Sequence, residues 1–351
     1  MTRNAPLVEI QAGTASPEAA SEAPSLPRGA ERFLGLVADK LAATEEVFRT
    51  HLTSDVPFIE DAGSYLATGG GKRVRPALLL LCARLLDVDG EEEVTYAATV
   101  ELIHTATLVH DDIIDHAALR RGRRTVNRIW GNHLTVLLGD WIYTTSMQMA
   151  LSHGRLEVVQ RLCSATLKMV EGELLALRRL GDPKLTEGEY FRIIERKTAH
   201  LFAAACSVPS LIPPARPEDG ETLARYGRNL GICFQLVDDL LDFTAREEEL
   251  GKPVLSDLKE GKLTLPLLLL LPRVADTERK KVERVLEDRG FDRVAPGEIL
   301  ELVRREGTLD EVRALAESYA TEAREALEVF PAGDARDALQ FAPDFILHRR
   351  S

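Results

Sequence analysis

Twice in this chain, acidic side chains stand in the middle of an apolar helical run: LVHDDIID at 108–115 and FQLVDDLLD at 234–242. A helix with apolar flanks packs into a core, so these carboxylates face a protein interior rather than bulk water. Asp111 and Asp115 are four apart and project from one face, one turn from each other. Asp238 and Asp242 repeat that spacing. Like charges so placed repel, and more strongly when desolvated. The carboxylates Asp111, Asp112, Asp115, Asp238, Asp239 and Asp242 therefore need positive partners. An oxygen-only donor set, with no cysteine and no obligatory histidine, selects a hard cation, magnesium before calcium. Neither run has the EF-hand loop with its central glycine. Magnesium keeps several waters and bridges a few carboxylates to phosphate oxygens, so two clusters facing across a helical cavity would clamp a diphosphate.

The rest of the chain supplies such a cavity. Apolar residues recur at three- and four-residue intervals, and predict helices over 91–116, 134–151, 156–180, 190–206, 223–243, 311–329 and 335–341. Thr308 and Glu311 have the spacing of a capping box at the start of one of them. Punctuation falls at 69–71, 121–122, 181–183, 213–214 and 251–253. Alternating β-strand runs are absent, and no period of 20–50 residues marks a solenoid. The expected architecture is a single all-α domain over 30–351. It follows a 29-residue tail rich in Ala, Pro, Ser and Glu, which is read as disordered and lacks the apolar core of a secretory signal.

Charge narrows the function classes. A net charge of −12 argues against a general nucleic-acid or anionic-membrane binder, yet basic residues are concentrated at 72–75 and 120–124. The longest apolar run, 263–271, is interrupted by Thr264 and Pro266 and is too short to span a bilayer. No stable membrane insertion and a cytoplasmic location are expected. Cys82, Cys163, Cys206 and Cys233 lie far apart in apolar helical contexts and read as small core residues.

The basic groups match the acidic ones. GGGKRVRP at 69–76 is a glycine turn feeding a helix start without the Walker pattern, and its cations, with exposed amides and a helix N-terminus, favour an anion site. Arg120 and Arg121 follow Asp115 closely and can serve two phosphate groups on either side of the chain. Lys197 and Thr198 interrupt an apolar helix face, and Lys252 and Lys262 flank the loop after the second cluster.

GGGKRVRP, ELIHTATLVHDDIID, LRRGRRTVN, ERKTA, GICFQLVDDLLD and DLKEGKLTLP, in this order over 69–266, resemble the trans-isoprenyl diphosphate synthases, specifically the long-chain polyprenyl diphosphate synthases. The resemblance implies a bundle of long helices around a deep apolar cavity, normally a homodimer. It also implies condensation of isopentenyl diphosphate with an allylic diphosphate, with magnesium, three ions per active site. By position, Asp111 and Asp115, supported by Asp112, resemble the first magnesium site; Asp238, with Asp239 and Asp242 behind it, resembles the second. Lys72, Arg75, His104 and Arg121 match the isopentenyl diphosphate contacts. Arg120, Lys197, Lys252 and Lys262 match the allylic diphosphate contacts, and Thr198 and Gln235 lie near the developing cation. Lys197, Thr198 and Gln235 thus count with the aspartates as catalytic candidates. One departure is Leu255, where such enzymes usually carry a glycine in the loop after the second cluster.

Product length should be set on the helix of Asp111, toward its N-terminal end. Short-chain members of the family commonly place an aromatic residue four or five positions upstream; here Ala106 and Thr107 stand there, with Ile103 and Val100 farther up. Small residues imply an open tunnel and long products. The alternatives are a short-chain farnesyl or geranylgeranyl synthase, a regulatory subunit of a heteromeric synthase, and a metal-binding scaffold, which would leave the basic residues unexplained.

Overall fold

A computed structural model describes residues 30–244 and 254–349. The proposed tail and Lys252 lie outside the described residues. The chain runs through α1 (Ala30–Gly35), α2 (Ala38–Thr50), α3 (Pro57–Ala67), α4 (Val74–Leu85) and α5 (Glu92–Ile114) to a short hairpin. It continues through α6 (Val126–Trp130), α7 (Asn132–Leu151), α8 (Leu156–Arg178) and α9 (Glu187–Ile194). A π-helical turn, Glu195–Ala199, then leads into α10 (His200–Ser207) and α11 (Asp219–Thr244). Six further helices follow: α12 (Ser256–Lys259), α13 (Leu265–Leu270), α14 (Asp276–Asp288), α15 (Pro296–Arg305), α16 (Thr308–Ala326) and α17 (Asp334–Leu347).

The all-α expectation holds. Helix α5 packs against α2, α4 and α7, while α11 packs against α10, α16 and α17. One core joins α4, α8, α10, α11 and the C-terminal helices; a second lies between α2, α3, α5 and α7. The two acidic helices are therefore walls of one bundle, both buried along most of their length.

Local chemistry moves several boundaries. The 190–206 stretch begins earlier, at a capping box in which Thr186 accepts from the Glu189 amide and Glu189 reaches back to the Thr186 amide. Thr308 is no cap: Gly307, at φ 69°, precedes the helix and Thr308 is already inside it, fully buried. Helix α17 runs past the expected end at 341, through Pro343, to Leu347. The only strands among the described residues are Leu119–Arg120 and Arg123–Arg124, an antiparallel pair. They are joined by Arg121 and Gly122 at φ 51° and 74°, the left-handed pair that a tight two-residue turn needs. Cys82, Cys206 and Cys233 are core residues as expected, whereas Cys163 is exposed on α8. No helix among the described residues is long and apolar enough to cross a membrane.

Candidate active site

Asp111 and Asp112 occupy the last turn of α5 and Asp115 its C-cap, where the negative end of the helix dipole makes carboxylates unfavourable. Cations from other elements neutralise them. The hairpin brings Arg120, whose Nε donates to Asp112 Oδ1 at 2.8 Å. Lys262, from the loop between α12 and α13, lies 3.0 Å from Asp115 Oδ1 and also pairs with Glu260. Burial pushes Asp111 up to about 6; Lys197 opposes this, and Glu173 and Asp115 add to it. Lys262 goes the other way: its carboxylate neighbours outweigh burial and hold its pKa above the usual lysine value.

The second cluster divides by face. Asp238 Oδ1 lies 3.0 Å from the guanidinium of Arg349. Asp239 is buried, accepts from Tyr190 Oη at 2.5 Å and from Gln235 Nε2 at 2.9 Å, and burial pushes it up to about 8. Asp242 accepts from the Ser256 amide and hydroxyl and from the Asp257 amide, and so ties α11 to the start of α12. Asp112 and Asp242 are thus committed to Arg120 and to the loop backbone, and serve as supports. Asp111, Asp115, Asp238 and Asp239 are the cluster members that line the two cavities described below.

A basic wall lines the same cavity, with Arg75 from α4 and His104 from α5 itself, two turns before Asp111. Arg75, in the first turn of α4, lies over the Phe202 ring at 4.4 Å, and its buried Nε has no hydrogen-bond partner. Burial lowers it to about 10. Burial and the guanidinium charges of Arg75, Arg121, Arg120 and Arg73 hold His104 well below the usual histidine value, so its ring is neutral. Lys72 and Arg121 are lowered too, chiefly by burial, with Arg349 adding to both. Buried positive charge around a neutral histidine is an arrangement that favours an anion. Within the same basic run, Arg73 is different. It adopts φ 46° and pairs with Glu45 and Glu101, so it is structural. Arg121 donates to the Gly70 carbonyl and fixes the glycine turn against the hairpin.

The π-helical turn places Lys197 and Thr198 between the two walls. Thr198 Oγ1 donates to Gln235 Oε1 at 2.8 Å, continuing the line Gln235–Asp239–Tyr190. Lys197 pairs with Glu173 on α8. The close approach of these elements needs Gly172, since a Cβ there would sit 2.6 Å from the Lys197 nitrogen.

A cavity of about 460 Å³ is lined by Arg75, His104, Thr107, Asp111, Lys197 and Asp238 among others. A second of about 320 Å³, lined by Asp115, Asp239, Asp257 and Lys262, shares Glu173, Lys197, Thr198 and Gln235 with it. Most expected residues therefore come together at these two cavities, while Arg120 and Arg121 line a separate one with Asp112. The length-setting group does not gather in this way. Ala106, 2% exposed, packs into the second core with Leu102, Val109, Leu138 and Ile142, and Ile103 is buried in the first. Only Thr107 faces the cavity, because the helix turns about 100° per residue and Asp111 shares its stripe with the position four before it. Sequence reasoning missed Arg349, Tyr190, Glu173 and Asp257. Asp257 opens the DLKEGKLTLP motif without having been given a role there, and the packing of distant helices brings the other three to the site.

Leu255 shows how this chain handles the missing glycine. It adopts the left-handed φ of 57°, donates its amide to the Asp242 carbonyl at 2.9 Å, and buries its side chain completely. Strain of about 1–2 kcal/mol is offset by burial of a leucine, worth about 1.5–3 kcal/mol.

Comparison with known proteins agrees with this arrangement. Residues 56–302 match the polyprenyl synthetase family. The chain is 41% identical over 309 residues to octaprenyl diphosphate synthase of Escherichia coli (strain K12), covering 88% of this chain and 95% of that one. A polyprenyl synthase of Caulobacter crescentus CB15, solved with calcium and isoprenyl diphosphate, superposes with a TM-score of 0.86 at 37% identity, over 92% and 98% of the two chains. A decaprenyl diphosphate synthase of Rhodobacter capsulatus gives 0.85 at 37% identity, over 92% and 99%. With its carboxylates and buried cations facing one helical cavity, this chain is a prenyltransferase of the polyprenyl synthetase family.

Proposed function

We propose that this enzyme condenses isopentenyl diphosphate with an allylic diphosphate to give long-chain all-trans polyprenyl diphosphates, releasing pyrophosphate. The observation that carries this reading is one cavity lined by Asp111 and His104 from α5, Asp238 from α11, Arg75 from α4 and Lys197 from the π-helical turn. Octaprenyl and decaprenyl synthases among the similar proteins favour long products over the short-chain alternative. Both acidic clusters are intact, which disfavours a purely regulatory subunit.

The donor set fits magnesium: Asp111, Asp115 and Asp238 offer only oxygen, on opposing walls, next to lysines able to hold phosphate. When bound, three ions would screen the allylic diphosphate and draw charge from its C–O bond. Lys197, Lys262 and Arg120 hold the same diphosphate as charge moves onto it. Arg75, Lys72, Arg121 and neutral His104 orient isopentenyl diphosphate. The Thr198 hydroxyl and Gln235 carbonyl present oxygen dipoles near the carbon that becomes cationic, and the apolar lining keeps water from it. The proton lost after C–C bond formation is assigned to departing pyrophosphate; of the histidines that line the cavities, His104, His110 and His116, the first stands among guanidinium groups that disfavour its protonation.

Exposed leucines at 134 and 137 on α7, with residues 167, 170, 174 and 177 at helical spacing on α8, form an apolar stripe. We infer that this stripe is the interface of a homodimer. The direct test of function is incubation with radiolabelled isopentenyl diphosphate and an allylic primer, followed by sizing of the products. Products of roughly six or more isoprene units are expected, with synthesis abolished by chelator and restored by magnesium. Products that stop at three or four units would overturn the long-chain reading.

A further inference from the structure

Glu173 belongs to none of the motifs that define the site, yet it lines both cavities. It sits on α8, half-buried, with its Oε2 sequestered from solvent and without a hydrogen bond of normal geometry. Its one strong partner is the ammonium of Lys197, the group proposed to hold the allylic diphosphate. This pairing is built into the backbone. Gly172 lets α8 approach the π-helical turn, and a Cβ there would strike both the Lys197 nitrogen and the Arg196 side chain, at 2.6 and 2.8 Å. Asp111 lines the larger cavity beside Glu173, and Asp115 lines the smaller one.

A diphosphate that recruits Lys197 must draw it from Glu173. That leaves a carboxylate uncompensated within the cavity, next to the first acidic cluster, where an unpaired charge is costly. A divalent cation at that cluster removes the cost, because Glu173 then faces a cation again. We propose that Glu173 is a masked carboxylate of the first cation site, held by Lys197 in the unloaded enzyme and exchanged to the cation when the allylic diphosphate takes the lysine. Glu173 thus couples metal and diphosphate binding, so that neither binds well alone. The coupling is reciprocal, as any linkage between two ligands must be.

This rests on the assignment of Lys197 and the first cluster made above, and a binding measurement separates the two. Full-length enzyme is titrated calorimetrically with inorganic pyrophosphate, once in chelator and once in excess magnesium. The wild type should bind weakly in chelator and much more tightly with magnesium. In Glu173→Gln, binding in chelator should tighten because Lys197 is released. Binding in magnesium should weaken or stay level because a carboxylate is lost. The magnesium enhancement should therefore fall by about tenfold or more, the size of one charge-assisted contact. Glu173→Asp, which keeps the charge on a shorter stem, should recover part of the enhancement and serves as the readout should the Gln variant fold poorly. An enhancement equal to that of the wild type in Glu173→Gln overturns the proposal. So does a uniform shift in both conditions, the signature of a simple field effect. No magnesium-dependent pyrophosphate binding in the wild type would instead sink the assignment of the site itself.

Discussion

A buried guanidinium with an unsatisfied N–H is costly, and Arg75 is held that way over Phe202, with the charges of Glu101 and Asp238 only partly offsetting its burial. With the proposed role of Arg75 in holding isopentenyl diphosphate, stability and function would pull apart here. Arg75→Met keeps most of the apolar contact with Phe202 and removes the charge. Steady-state kinetics should show the Michaelis constant for isopentenyl diphosphate rising more than about tenfold, with little change for the allylic primer. The melting temperature of the ligand-free enzyme should hold or rise; a clear fall would mean that Arg75 is structural. His104 gives a pH signature. Its folded pKa is depressed, so below the usual value near 6.5 the unfolded chain binds a proton that the native ring refuses. Its contribution to stability is present above that value and is lost as pH falls toward the depressed folded pKa. Melting temperatures from about pH 7 to about pH 5 should fall less steeply in His104→Gln than in the wild type; parallel curves would place His104 outside the basic wall. At this scale the sequence was informative about charge. Acids within apolar runs and cations after glycines announced themselves, because burying a charge needs a reason. Which acid faces the cavity was not legible. Asp111 and Asp112 are adjacent in LVHDDIID, yet one lines the cavity and the other is taken by an arginine that arrives on a hairpin.

Helix existence was legible from periodicity, since α5, α7, α8 and α11 begin and end within a few residues of the expected bounds. The π-helical turn was not. Its extra residue inside ERKTA changes the facing of Lys197 and Thr198 and has no compositional marker. Facing also separates the candidate length-setting positions from one another. Ala106 and Thr107 are neighbours, but about 100° of helix rotation puts the first against α7 and the second into the cavity. The two substitutions should therefore diverge. Thr107→Phe should place a ring beside the growing chain and shift products toward three or four isoprene units, with the first condensation largely intact. Ala106→Phe should overpack the second core and lower stability by about 1–3 kcal/mol without a specific change in length. Product sizing beside thermal melts of both variants checks this. Shorter products from Ala106→Phe in a stable enzyme, with Thr107→Phe unchanged, would reverse the assignment.

The whole molecule adds what no single helix contains. Arg349 lies 3.0 Å from Asp238 although their positions are more than a hundred residues apart, and no local pattern links them. The outer boundary of the site is where the proposed homodimer would matter. Val170, Leu174 and Leu177 line the larger cavity and are also among the most exposed apolar residues, with Leu174 63% accessible. An apolar cavity open to water along this edge would admit solvent to a cationic reaction centre, so the wall needs a cover. Leu137, 64% accessible, and Leu167 extend the same surface without lining the cavity, which makes them the cleaner probes. A second copy meeting this stripe would bury it by two-fold symmetry, each copy closing the other's cavity. Leu137→Glu combined with Leu167→Glu should shift the enzyme from dimer to monomer in light scattering after size exclusion, while the helical circular dichroism is retained. Activity should fall with dimer content across a dilution series, and the remaining product should shorten as water reaches the chain. A fully active monomer would show that each copy closes its own cavity and that the stripe serves another surface.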